Sequence, residues 1–463
     1  MRSALPVAGG CPSRRFDVWG FDLQVRRSYL FRGAVERCPA PPIFPYRISS
    51  GAEWAKSNDM RAPFKSLLTR REMLKGTALA SGVLLAGFER LGWPAAAMAS
   101  ANAAFQQGLT GGRQLGLVEF AGEPRIEMDT VNGAELNCRL FTDLSTLTPE
   151  NPIIPTKKFY IRTGVSKILE DGKPWSIQLG GLVEKPVTIT QKHLETLAKP
   201  AGTHLMECAG NFRTAQFGLM SVAEWAGVPM AQVLESVKAL PRGKRILVSG
   251  FDRYESESAN SIPGASWIFT SGELKSTGAF LATQMNGEAL TRDHGAPLRL
   301  VVPGWYGCTC IKWVNEIAVV DENAAATSQM QEYAGRTHQQ GIPDRARDYH
   351  PAFIEHAAMP IRIEKWLIEG EIKYRVVGIL WGGAQPVNIL EIRFNPEEEY
   401  VRVEALQQSR VGSWNFWTHS WTPKEKGIYL IRLRVKDPAV PQTRLDAGYY
   451  VRSVEITEPA GEP

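Results

Sequence analysis

At 463 residues, with 44% hydrophobic and 22% charged side chains, the chain has room for two or three domains and the composition of an ordinary soluble protein. Its net charge of +5 invites a nucleic-acid or membrane reading, but the surplus is local. Residues 1–99 hold 15 Lys/Arg against 7 Asp/Glu, which leaves 38 against 41 for the rest. A slightly acidic body offers no general field for phosphates.

The first 59 residues are rich in Arg, Pro, Gly and Ser and show no sustained apolar periodicity. They read as a start-site artefact ahead of Met60, or alternatively as a long pro-region. Residues 60–99 have the order of an export signal. Thr69-Arg70-Arg71-Glu72-Met73-Leu74-Lys75 is basic, an apolar run covers 76–88, and Ala97-Met98-Ala99 is a small-residue cleavage site. The paired arginines match the twin-arginine signal, which places the mature chain in the periplasm or otherwise outside the cytoplasm. The run is too short to span a bilayer and is broken by Gly76, Gly82 and Gly87.

Residues 105–148 are loop-rich. Strands are expected at 158–165 and 175–179, with a turn at Gly180-Gly181 and a helix at 190–197. A short buried strand at 203–207 ends at Cys208. Helices are expected at 221–225 and 230–240, then strands at 245–249, 267–269, 298–302 and 311–320. This describes an α+β domain over 100–325. A polar helix-plus-linker follows at 326–358. Strands at 361–368, 373–380, 389–394, 401–405, 414–418, 429–435 and 449–456 then suggest an immunoglobulin-like sandwich over 359–463.

The six cysteines stand at 11, 38, 138, 208, 308 and 310. Without the leader four remain, too few and too irregular for a disulfide scaffold. Cys308-Thr309-Cys310 has neither the spacing of a zinc knuckle nor that of a haem attachment. Cys138, Cys308 and Cys310 read as core or pocket-wall thiols, with a disulfide among them as the alternative. Cys208, between a buried strand and Ala209-Gly210, is either a structural thiol or a soft ligand at a rigid strand end, where small neighbours admit a bulky group.

The surrounding residues favour the ligand. Glu207-Cys208-Ala209-Gly210-Asn211 resembles the Cys-Ala-Gly-Asn signature of the sulfite oxidase family. Gln284-Met285-Asn286-Gly287 and Asp293-His294-Gly295-Ala296-Pro297-Leu298-Arg299 resemble two further blocks, and Pro303-Gly304 through Ile311-Lys312-Trp313 a fourth. The resemblance covers roughly residues 158–333. It implies a molybdenum-molybdopterin cofactor with Cys208 as the protein ligand to the metal. It further implies cofactor contacts from Asp252, His294, Arg299, Cys310, Ile311 and Lys312, and a substrate side built from Arg162, Arg213 and Tyr333. An anionic phosphate and a hydrogen-bonding pterin suit cationic and polar side chains on strand ends. The C-terminal part resembles the family's dimerisation domain, which implies a homodimer.

Three departures concern the substrate side. Thr163-Gly164-Val165 replaces the family's Asn-His-Leu-Pro, Gly307-Cys308-Thr309 replaces Gly-Ala-Arg, and Asn415 stands where an arginine is common between two tryptophans. The first expectation is therefore oxidation of sulfite or a related sulfur compound by oxygen-atom transfer, with electrons passed to a separate cytochrome since no haem motif occurs in the sequence. The alternative is a sulfoxide reductase with the same cofactor, favoured by a pocket with two arginines fewer. A binding protein with a vestigial site is the third reading, and the set Cys208, His294, Arg299 and Lys312 argues against it.

Overall fold

The strand expected to end at Cys208 forms, and it runs further back than its apolar stretch. Lys199–Glu207 pairs antiparallel with Met220–Pro229, from Lys199↔Gly227 to Glu207↔Met220. The computed structural model describes residues 111–164, 174–251, 264–407 and 412–461, all within one compact unit, Gly87–Pro463. The leader, residues 1–59 and Asp252 lie outside the described residues.

Met220–Pro229 sits between Lys199–Glu207 and Phe280–Met285, and Phe280–Met285 in turn pairs with both Glu288–Ala289 at the far edge and Arg299–Val301. The helix expected at 221–225 is therefore strand. The segment is central and buried on both faces, so its apolar residues run almost continuously, and periodicity cannot separate that from a buried helix. A second five-stranded sheet orders Ser266–Thr270, Gly243–Gly250, Val314–Asp321, Ser176–Gly181 and Val187–Thr190, with one parallel pair, Val314–Asp321 beside Ser176–Gly181. The helix at 230–240 shortens to Met230–Leu234. The strand at 158–165 shortens to Ile161–Arg162, preceded by a 3-10 turn at Thr156–Lys158. That short strand pairs with Asn137–Leu140, which sets Arg139 opposite Arg162.

Two further five-stranded sheets take up the C-terminal part. One orders Arg113–Val118, Ala357–Ile368, Glu371–Trp381, Asn415–Trp421 and Ala405–Leu406. The other orders Val401–Arg402, Leu390–Arg393, Gly427–Val435, Arg452–Ile456 and Phe120–Ala121. The expected strand 401–405 divides at Val403, so its two ends join different sheets. Residues 113–121 likewise contribute a strand to each. Among the described residues the main apolar core runs from Leu205 and Trp225 to Trp381 and Trp417, and Cys138, Leu140 and Ile161 form a small second cluster. Cys138, Cys208, Cys308 and Cys310 are all buried and free, so the disulfide alternative does not form. Among the described residues, no helix is long and apolar enough to cross a membrane.

Close packing is tightest where two long strands cross an indole. A Cβ at Gly378 would lie 2.1 Å from Trp417 Cζ2 and 2.5 Å from the Met359 carbonyl oxygen. Trp417 is fully buried, and a rigid ring and backbone cannot yield cheaply. Gly378→Ala is expected to cost about 1–3 kcal/mol through overpacking. Thermal unfolding of parent and variant checks this.

Candidate active site

Cys208 is the first residue past its strand, at 7% exposure. Its N–H donates to the Leu219 carbonyl (2.9 Å) and its carbonyl accepts from Asn211 N–H (2.9 Å), which pins the turn on both sides. The sulfur accepts from the Gly210 N–H and from Arg162 Nη1, each at 3.4 Å. A Cβ at Gly210 would sit 2.8 Å from Arg162 Nη1, so a side chain there would push that guanidinium from its place against the thiol. Arg162 also lies over the Tyr333 ring, 5.9 Å from its centroid. Burial alone disfavours the Arg162 charge, but Cys208 and Tyr333 more than offset this and hold the proton above the usual arginine range. Burial pushes the Tyr333 phenol well up, so it is a hydrogen-bond donor at neutral pH.

Two cations join this group without any sequence motif. Arg139 Nη1 donates to the Cys138 carbonyl (2.8 Å) and also to that of Thr163. Burial, then the charge of Arg162, lowers its pKa, while Cys208 acts in the opposite sense. Arg336 Nε donates to the Ala209 carbonyl (2.7 Å), one residue past the thiol, and its charge offsets part of the burial that raises Cys308. The register of a two-residue strand and the fold of 326–358 bring them in, and neither is readable from spacing. Arg213 does the opposite. It is exposed on the 3-10 turn Arg213–Ala215, and its charge bears on Arg452.

A second cluster lies behind the thiol. His294 is buried, with Nδ1 2.7 Å from Thr291 Oγ1 and Nε2 3.1 Å from the Phe159 carbonyl oxygen. Burial pushes its pKa down to about 4, so the ring is neutral near pH 7. Arg299 is 3% exposed and donates to the carbonyls of His294 (3.0 Å) and Cys310 (3.2 Å) and to Met206 Sδ (3.1 Å). Its Nε has no partner, and no carboxylate answers it among the described residues. Lys312 Nζ donates to the carbonyls of Asp293 (2.7 Å) and Arg162 (3.2 Å) and to Thr163 Oγ1 (2.9 Å). Ile311 is buried between them, its carbonyl accepting from Leu300 N–H (2.8 Å). Gly295, at φ +103°, allows Arg299 and Lys312 to come together: a Cβ there would lie 3.1 Å from each of theirs.

A buried guanidinium with an idle donor and only neutral acceptors is costly unless an anion completes it. A phosphate-bearing cofactor has that chemistry. Among the described residues, no group of three His, Cys, Asp or Glu side chains is placed to hold a bare ion. A metal on Cys208 therefore needs its other donors from an organic group, and the residues present fit molybdopterin.

Comparison with known proteins agrees. Residues 164–328 match the oxidoreductase molybdopterin binding domain. This molybdopterin-binding domain is that of the sulfite oxidase family of molybdopterin-dependent oxidoreductases. The chain is 31% identical to a sulfite oxidase of Arabidopsis thaliana over 202 residues, 39% of this chain and 51% of that protein. It is 30% identical to an NADPH nitrate reductase of Emericella nidulans over 194 residues, 38% of this chain and 22% of that one. The chain thus spans between about a fifth and a half of these two relatives. The fold is similar to the crystal structure of the sulfane dehydrogenase SoxCD from Paracoccus pantotrophus. The TM-score is 0.53 at 21% identity, covering 75% of this chain and 85% of that one.

Just before the Cys-Ala-Gly-Asn signature, Glu207 has no exposure at all. Trp381 Nε1 donates to its Oε2 (2.9 Å), Asn211 Nδ2 to its Oε1 (3.4 Å), and Arg444 Nη1 lies 3.9 Å from Oε1. Removing one partner of a buried ion pair leaves a charge uncompensated. Glu207→Ala is expected to lose about 3–5 kcal/mol of stability, measured by chemical denaturation.

Proposed function

We propose that this protein oxidises sulfite, or a related sulfur compound, by oxygen-atom transfer. When bound, molybdenum-molybdopterin supplies two-electron redox chemistry coupled to that transfer. In the balance, sulfite and water give sulfate, two protons and two electrons, and the electrons pass to a separate cytochrome-type carrier. Cys208 is the metal ligand in this reading, fixed by the Gly210 N–H and by Arg162. Arg299, Lys312 and His294 hold the cofactor's polar end, with Cys310 and Ile311 forming the wall behind.

The observation that carries the substrate is the cationic group at the thiol. Arg162 touches the sulfur, Arg139 stands opposite Arg162 in register, and Arg336 reaches the next carbonyl. A dianion gains from all three in a poorly solvated recess, and the Tyr333 phenol adds a neutral donor. The sulfoxide alternative rested on missing arginines, and Arg139 and Arg336 supply charge from other parts of the chain. Arg213, being exposed, is at most a rim residue in this scheme.

Export through the twin-arginine signal at 60–99 belongs to the same reading, since a cofactor enzyme of this kind leaves the cytoplasm folded. We further propose that the two C-terminal sheets form an immunoglobulin-like sandwich through which the protein dimerises.

Cys208→Ser keeps the shape of the side chain but exchanges a soft thiolate for a poorly ionised hydroxyl. Turnover is expected to fall at least about a hundredfold, the upper end of the loss seen when only a supporting partner of a metal ligand is removed. The unfolding midpoint should barely move. Appreciable turnover in the variant would refute the ligand role.

Arg162→Met tests the substrate. A charged hydrogen bond contributes roughly 1.5–3 kcal/mol, so the Michaelis constant for sulfite should rise about tenfold or more at 1.4 kcal/mol per decade. Binding in the parent should weaken with salt. A parent that ignores sulfite but reduces sulfoxides replaces this reading with the reductase one.

A further inference from the structure

Arg139, opposite Arg162 in register, stands on a hairpin with little core of its own. Asn132–Ala134 turns back through Glu135-Leu136 and pairs with Asn137–Leu140. Leu136, Cys138 and Leu140 are buried, as the two-residue period allows, while Asn132, Gly133, Ala134, Glu135 and Asn137 are exposed. Cys138 and Leu140 cluster with Ile161 apart from the main core. So small a cluster holds a hairpin weakly.

The hairpin is tied down by Asp293, one residue before His294. Asp293 Oδ1 accepts from the Leu136 N–H (2.9 Å), and the carboxylate also accepts from the Cys138 thiol. Leu136 has φ +65°, a left-handed conformation that strains a leucine. Such strain persists only where the surroundings impose it, and here the amide of the strained residue is the one that Asp293 holds. Arg292 adds an ion pair to Glu135 at 3.0 Å, but Glu135 is more than half exposed and the pair contributes little.

The same residue grips the cofactor side through its backbone. The Asp293 carbonyl accepts from Lys312 Nζ (2.7 Å) and from Thr163 Oγ1 (3.3 Å). Its side chain therefore faces the substrate-side hairpin and its carbonyl the cofactor-side lysine. Cys138 immediately precedes Arg139, so a hairpin released from Asp293 carries Arg139 with it. A force for release is present, because two guanidiniums set opposite each other repel until an anion enters.

We propose that Asp293 is a positioning residue for the substrate-side cations: it latches the hairpin 132–140 and thereby holds Arg139 at the anion recess beside Arg162. This deepens the reading of that recess as an oxyanion site and rests on it.

The test uses holoenzyme of the parent, Arg139→Met, Asp293→Ala, their double variant and Asp293→Asn, each checked for molybdenum content and thermal unfolding. The probe is sulfate, the product of the proposed reaction, whose binding by titration calorimetry needs no turnover. Arg139→Met is expected to weaken sulfate binding about tenfold, the size of one charged hydrogen bond. Asp293→Ala should weaken it about fivefold in the parent but less than about twofold once Arg139 is gone, since a residue acting through another then has nothing to act on. Asp293→Asn keeps an oxygen for the Leu136 amide and should restore most of the affinity. In sulfite turnover, Asp293→Ala should raise KM by a similar factor while kcat changes far less. Amide exchange at Leu136 should quicken in Asp293→Ala. If that variant loses molybdenum or its fold, Cys138→Ala, which removes one of the two donors to the carboxylate, should give the same pattern more weakly. Equal losses with and without Arg139, or unchanged exchange at Leu136, overturn the latch and leave the oxyanion reading intact. A parent that neither binds sulfate nor oxidises sulfite overturns both.

Discussion

Glu207 has a carboxylate with no access to water, and the arrangement around the thiol follows from the need to satisfy it. An unanswered buried charge would cost several kcal/mol, so its donors must be held in place. They come from separate parts of the chain: Trp381 from a C-terminal strand, Arg444 from the last short helix, and Asn211 from the turn after Cys208. Asn211 then accepts from Leu219 N–H through its side chain and from Tyr449 through its carbonyl. The residue before the thiol and the third residue after it are thus fixed by the same network. The C-terminal sheets are part of what holds the site rigid, although no residue predicted for the chemistry lies in them.

Charge around the site is arranged in two groups with different needs. Behind the thiol, Arg299 is enclosed and answered only by carbonyls and a thioether, which leaves it waiting for an anion. In front, Arg162 is stabilised by the sulfur and by Tyr333, and Arg139 is pushed down by burial and by its cationic neighbour. Like charges this close repel, and the repulsion is relieved when an anion enters. One group suits a cofactor that stays and the other a substrate that comes and goes. Neutral His294, beside Arg299 behind the thiol, adds hydrogen bonding without further positive charge.

Local chemistry was legible in the sequence wherever a function needs adjacent residues. The thiol, its small neighbours, Arg299 and Lys312 stand in short blocks because a strand end and its turn present them together. Cys208 and Arg162 were accordingly readable, and they meet at 3.4 Å. The helix expected at 221–225 failed for the opposite reason. Its pattern is set by burial on two faces, and burial is a property of the sheet around it rather than of the five residues.

What only tertiary structure decided is which distant side chains complete the site. Asn415 and Cys308-Thr309 suggested a pocket short of cations, since arginine is absent at the family's positions. The fold supplies the charge from Arg139, through a two-residue strand pairing, and from Arg336, through the turn after Tyr333. It also turns Arg213 to solvent despite its place five residues after the thiol. Electrostatic attraction acts through space, so an anion site needs positive charge at a point and is indifferent to the order in which the chain delivers it. Sequence by itself determined the chemistry that depends on neighbouring residues, and the packed structure determined the field.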